Sequence, residues 1–233
     1  ELLKKITVTN QEKWNTDTNQ ANYMPIPMWG EIPTITVNSN TKNIDTSLLR
    51  MLSKIDVSLA QAAQANFDLQ SIRLYNYNTV GQVVPDATNW DSDANAVKSP
   101  SIQGSTTAGP LVYEGDAIKK DNEKGVSCKD EIYAFEAAAG DPANLKTNTC
   151  LVIGGVYKGD NKPTYYRVDI ANTKSDGTST FLALLRNFQY QISIQSVRGS
   201  GVDTPGEALE ARPVYITANV IKWSNSQFTE FAI

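Results

Sequence analysis

Histidine is absent from all 233 residues of this chain. That absence removes the Ser-His-Asp and Cys-His nucleophile arrangements, the imidazole metal ligand, and the one general base whose unperturbed pKa lies near neutrality. The two cysteines, Cys128 and Cys150, fall short of the four thiolates an all-cysteine zinc site requires. No stretch approaches the roughly 18 to 20 apolar residues that span a bilayer as a helix. A concentrated basic face is missing too: 21 Lys and Arg stand against 25 Asp and Glu, a net charge of −4, which points away from nucleic acid. The opening Glu1-Leu2-Leu3-Lys4-Lys5 lacks the basic-then-apolar layout of a signal peptide, so the chain reads either as cytosolic or as one whose targeting segment has been removed. No internal repeat argues for a propeller or solenoid. A chain this long buries about 70 to 75 % of its unfolded surface, so its core needs neither disulfides nor metals.

What is present is alternation at period two. Ile55, Val57 and Leu59 alternate with Asp56 and Ser58; Val214, Ile216, Ala218 and Val220 alternate with Tyr215, Thr217 and Asn219; the run from Gln189 to Val197 does the same. Such segments hide one face and wet the other, as in antiparallel sheets. Around Phe67, Leu69, Ile72 and Leu74 the alternation slips by one residue, which predicts a bulge. The runs from Cys150 to Tyr157 and Thr164 to Ile170 flank a Gly159-Asp160-Asn161 turn signal, and Ser175-Asp176-Gly177-Thr178 supplies another, so a meander is expected. Helical signals are few. Residues 46–52 offer a turn or two, and Thr204-Pro205-Gly206-Glu207 has the chemistry of a capping box. Residues 134–143 contain an alanine run that Gly140-Asp141-Pro142 interrupts, which favours a loop. A stretch poor in large apolar residues, from Val84 to Gly109, reads as a domain boundary near residue 95, dividing the chain into 1–95 and 96–233.

Candidate sites are sparse. Asp91-Ser92-Asp93-Ala94-Asn95 begins like a calcium loop, but Ala96 and Ile102 stand where glycine and a bidentate glutamate are needed, so a solvated linker is the better reading. Glu131 with Glu136, or Glu114 with Asp116, would have to pair for acid/base work, and nothing in the sequence places them together. Cys128 and Cys150 each lie beside a strand-like stretch, which suits a disulfide between neighbouring strands or two independent buried thiols. Trp14, Trp29, Trp90 and Trp223 suit packing better than sugar stacking. The Gly199-Ser200-Gly201 run lacks a dinucleotide-site context and reads as a flexible loop.

An ordered set of phrases carries a family resemblance. Ile26-Pro27-Met28-Trp29-Gly30, the run from Leu49 to Val57, and Val84-Pro85-Asp86 come first. Then follow Glu131-Ile132-Tyr133-Ala134-Phe135-Glu136, the run from Thr149 to Tyr157, the run from Leu184 to Tyr190, Thr204-Pro205-Gly206-Glu207-Ala208, and Val220-Ile221-Lys222-Trp223. The series resembles the fimbrillin superfamily of Bacteroidales, the subunits of type V pili and their Mfa-like relatives. The resemblance implies an all-β chain of two transthyretin-like β-sandwich domains. It implies export as a lipoprotein precursor, proteolytic maturation at the cell surface, and assembly with other fimbrial subunits by donor-strand exchange. A tip subunit would in addition meet a host or bacterial surface ligand. Family members carry further strands ahead of the Pro27–Gly30 phrase, so the N-terminal domain is expected to be incomplete here. The candidate donor strand and tail are Val214, Ile216, Ala218, Val220, Trp223, Phe228, Phe231 and Ile233, unless that strand completes its own sandwich. The expected role is thus a non-enzymatic structural or adhesive fimbrial subunit at the cell surface, with no cofactor and no membrane contact beyond the removed precursor segment. A carbohydrate-binding module of an exported glycan-utilisation system is the alternative, and a hydrolase using paired carboxylates a further one.

Overall fold

Alternating side chains become strands wherever one row finds a core to enter. The computed structural model describes residues 6–32, 34–39, 46–86, 90–91, 96–101, 109–173, 179–211 and 217–222. In chain order the first elements are β1 (Thr7–Thr9), β2 (Met28–Trp29), β3 (Leu49–Arg50), β4 (Ser53–Leu59), α1 (Gln61–Gln64), β5 (Phe67–Tyr75) and β6 (Val80–Gln82). Next come β7 (Trp90–Asp91), β8 (Ala96–Val97), β9 (Leu111–Glu114), β10 (Lys119–Asp121) and β11 (Lys124–Ala134). The chain continues with β12 (Cys150–Tyr157), β13 (Thr164–Asp169), β14 (Ala171–Thr173), β15 (Ser179–Phe181), β16 (Phe188–Ile194), α2 (Pro205–Glu210) and β17 (Thr217–Lys222).

Two sheets form a β-sandwich. One has the strand order β10-β11-β4-β16-β17-β14-β15, the other β13-β12-β5-β9. Ile55, Val57 and Leu59 of β4 and Ile192 and Ile194 of β16 share a core with Phe67, Leu69, Ile72 and Leu74 of β5 and Leu151 and Ile153 of β12. The expected bulge lies in β5: Gly154 of β12 faces Ser71 and Gly155 faces Leu69, leaving Gln70 unmatched. That one-residue insertion keeps both Leu69 and Ile72 in the core despite their odd spacing. The β12–β13 hairpin turns through Gly159, whose φ of +98° only glycine adopts without strain. The capping box at α2 is complete, with Thr204 Oγ1 accepting from Glu207 N at 3.2 Å and Glu207 Oε2 accepting from Thr204 N at 3.0 Å.

Two expectations are corrected. Residues 46–52 contain no helix; Leu49–Arg50 is β3, paired antiparallel with Met28–Trp29. Nor does the chain divide near residue 95. β4 pairs with β11 and β16, and β5 with β9 and β12, so central strands of both sheets come from the first 95 residues. The polar stretch after Val84 is a connection within one fold, because the strands on either side of it complete the same core. Ahead of β4 the described residues form only the short pairs β1–β6 and β2–β3. A second apolar cluster of Trp14, Met51, Leu52, Tyr133 and Phe135, joined by Val8, Met24 and Ile26, packs this segment onto the end of β11.

Candidate assembly groove

Among the described residues β16 is flanked by β17 up to Ser193, which faces Thr217, and by β4 up to Ile194, which faces Leu59. Beyond Ile194, whose carbonyl accepts from Ala60 N at 2.9 Å, the chain runs on through residues 195–198 without any backbone-to-backbone hydrogen bond among the described residues. Asn66 Nδ2 donates to the Val197 carbonyl at 2.7 Å, and Gln195 Nε2 to Ser193 Oγ at 2.9 Å. Beside it lies a cavity of about 400 Å³ lined by Phe67, Ile153, Tyr166, Val168, Ile194 and Val197, with Ser196, Arg198, Gly199 and Ser200 also on its wall. Phe67 and Tyr166 meet edge to face, with ring centroids 5.5 Å apart. The Tyr166 hydroxyl donates to the Gly199 carbonyl at 2.8 Å, and burial pushes its pKa above the ordinary phenol value.

The loop after the cavity is held rather than free. Tyr165 and Val202 exchange both backbone bonds, at 2.9 and 3.1 Å. Gly201 lies so close to β13 that a Cβ there would stand 2.4 Å from the Tyr165 carbonyl oxygen, so glycine is required by space. Among the described arginines, Arg50, Arg73, Arg167 and Arg186 all have polar partners, whereas Arg198, exposed beside the cavity, makes no ion pair or hydrogen bond with any described residue. A second hollow of about 450 Å³ shares the Phe67 wall but is polar, bordered by Asp68, Lys124, Lys158 and Asp160.

The candidate donor residues fall on both sides of what the structure describes. Ala218 and Val220 lie on β17, facing Ile192 and Tyr190 of β16, so this strand completes its own sheet. Val214, Ile216, Trp223, Phe228, Phe231 and Ile233 lie outside the described residues.

The expected disulfide is corrected: Cys128 and Cys150 are both free and buried. Cys128 belongs to the core between the sheets, as does Leu151, the immediate neighbour of Cys150 on β12. Alternation therefore turns the Cys150 side chain to the opposite face of its sheet, where Arg167 and Asp169 lie, and the two sulfurs cannot meet. Burial raises both thiols to about 12, for Cys128 with help from Glu131 and Asp56.

The carboxylates considered for acid/base work are engaged separately. Glu131 meets Lys119 at 3.1 Å on the surface, while Glu136 is buried against Arg186 at 2.7 Å. Glu114 and Asp116 are exposed. Among the described residues no group of three or more Cys, Asp or Glu is placed to hold a metal ion. Residues 92–95 and Ile102, which include most of the calcium-like loop, lie outside the described residues. Trp14 is packed edge to face on Phe135 at 5.8 Å and offers no sugar platform. No described helix is long and apolar enough to cross a membrane.

No known family profile matches the sequence, and a search of curated proteins found no match. Solved structures do. A candidate cell adhesion protein from Bacteroides eggerthii superposes with a TM-score of 0.51 at 16 % identity, over 95 % of this chain and 70 % of that one. A candidate cell adhesion protein from Bacteroides uniformis gives 0.50 at 13 % identity, over 94 % and 66 %. This chain has their fold. The tip fimbrial protein Mfa3 from Porphyromonas gingivalis, with C-terminal truncation, gives a lower TM-score of 0.43 at 16 % identity. The chain covers 52 % of that protein's length, so it spans about half of that tip protein and two thirds to seven tenths of the two adhesion proteins. With the two adhesion proteins it shares a layered all-β architecture.

Proposed function

We infer that this chain is a structural or adhesive subunit of a bacterial surface fimbrium, exported to the cell surface and joined to its neighbours by donor-strand exchange. The observation that supports the reading is the stretch 195–198, whose backbone has no main-chain partner among the described residues and which borders an apolar cavity lined from both sheets. A backbone stretch without a sheet partner beside an apolar pocket is what an added strand would satisfy, with the backbone supplying affinity and the pocket selectivity. The fold shared with candidate cell adhesion proteins, and the series of fimbrillin-like phrases along the chain, support the same role.

The test is polymerisation. Purified protein, followed by light scattering and electron microscopy, is expected to form filaments as concentration rises, and deletion of residues 223–233 is expected to leave a folded monomer that forms none. A protein that stays monomeric at every concentration while binding one member of a polysaccharide panel would instead be a carbohydrate-binding module.

A further inference from the structure

The outward face of β4 carries a contact that ordinary ion pairing does not explain. Lys54 is buried at 1 % exposure; its Nζ touches Asp130 Oδ1 and lies 3.5 Å from Asp56 Oδ2. One ammonium thus meets two carboxylates, one more than pairing needs. Asp56 is itself buried and fixed, its Oδ1 accepting from the Asp130 N–H at 2.9 Å and its Oδ2 from Gln189 Nε2 at 2.5 Å. The irregularity in β11 delivers Asp130 to this place. The register of β11 on β4 breaks between Cys128, opposite Val57, and Ile132, opposite Ile55, and Asp130 takes φ +60° inside the break. A residue other than glycine holds that left-handed conformation only where its surroundings impose it. An amine, a carboxyl group and a second carboxylate are thereby held together across two neighbouring strands.

We propose that Lys54 and Asp130 form a self-modification site, at which an isopeptide bond joins Lys54 Nζ to Asp130 Cγ with Asp56 as proton carrier. Proton transfer within the ion pair gives a neutral amine and a carboxylic acid, the forms that react, and burial of the nitrogen favours uncharged species. Nζ then attacks Cγ. One N–H proton passes to Asp56 Oδ2 and on to the departing hydroxyl, the Cγ–O bond breaks, and one water leaves; Asp56 ends as it began. No oxidant, metal or activated group enters this balance. Contact between the two groups replaces chemical activation, since well-placed reactants reach effective molarities of about 10⁵ to 10⁸ M. The Asp130 side chain keeps 65 % exposure, so the released water has an open path to solvent. The bond links positions 76 residues apart where the β4–β11 ladder is interrupted, and restrains the unfolded chain as a long-loop disulfide does, in a protein whose two cysteines stay free. The site is independent of the donor-strand reading.

The test is the mass of the full chain, purified and then denatured. Wild type is expected to weigh one water less than its sequence, a deficit distinct from the two hydrogens a disulfide removes. Trypsin, which does not cut at an acylated lysine, is expected to release residues 51–73 joined to 130–146. Lys54→Arg and Asp130→Ala are expected at full sequence mass, with circular dichroism as in wild type. Asp56→Asn keeps the shape of the side chain but carries no proton, and is expected to stay unlinked. Asp130→Ala changes an exposed side chain and so keeps the comparison valid if either buried substitution unfolds the chain. A wild-type chain at full sequence mass would overturn the proposal and leave a buried ion pair. So would a one-water deficit that persists in Asp130→Ala or Lys54→Arg, which would place the dehydration elsewhere, as in a succinimide. A deficit undiminished in a folded Asp56→Asn chain would overturn the part given to Asp56.

Discussion

Glu136 and Arg186 are both almost wholly buried, and their partners show what the pair holds together. Arg186 donates to Glu136 Oε2 through Nε at 3.0 Å and Nη2 at 2.7 Å, and to the carbonyls of Val83 at 2.6 Å and Gln82 at 2.7 Å. Glu136 also accepts from the Ser101 N–H at 3.1 Å. The pair thus ties the end of β6 and the connection after it to the sandwich. Glu136→Gln leaves a buried guanidinium uncompensated and is expected to cost about 3 to 5 kcal/mol in denaturant unfolding. Removing the exposed Lys146–Glu210 pair should leave the midpoint unchanged. The two thiols make a second residue-scale expectation. Intact mass without reductant should match two free cysteines, and both should resist a thiol reagent until the protein is denatured. Because the folded thiols titrate near 12, above the unfolded value, the folded state holds its protons longer. Stability should therefore be unaffected below pH about 9 and fall as pH rises from there toward 12.

α2 is only six residues long, too short to stand by intrinsic helicity, and it persists through its ends. At its start Thr204 and Glu207 cap one another; at its other end Arg167, buried on β13, donates to the Leu209 carbonyl and, at 2.6 Å, to that of Leu145. Thr204→Ala is expected to cost about 1 kcal/mol and to speed amide exchange within 205–210 more than in the sheets. β4 shows the same dependence on context. Its inward row is apolar, but its outward row carries Lys54 and Asp56, both buried. Lys54 contacts Asp130 and lies 3.5 Å from Asp56, while Asp56 accepts from the Asp130 N–H at 2.9 Å and from the Gln189 side chain. The irregularity in β11 between Cys128 and Ile132, where Asp130 takes φ +60°, presents that N–H to Asp56. Alternation along β4 thus marks one buried face and conceals that the other is buried as well.

The sandwich is a single cooperative body at the scale of the whole molecule, because its central strands come from distant parts of the chain. A fragment of residues 96–233 lacks β4 and β5 and is expected to be unfolded by circular dichroism, where a division near residue 95 would have left it folded. The large apolar side chains that remain exposed among the described residues, from Ile6 to Leu48, all precede β4, so exposed apolar surface there is concentrated in the N-terminal segment.

Strand identity, the bulge in β5, the β12–β13 hairpin and the cap of α2 were legible because each depends on neighbours in sequence: side-chain period, turn chemistry, and groups three residues apart. The absence of histidine likewise bounded the chemistry before any folding. Which strands share a sheet, which face of β12 carries Cys150, how Glu136 finds Arg186, and where the core leaves the cavity beside Ile194 and Val197 were decided only in three dimensions. Those outcomes depend on contacts between residues far apart along the chain, and pairing of that range is set by how the whole apolar surface closes.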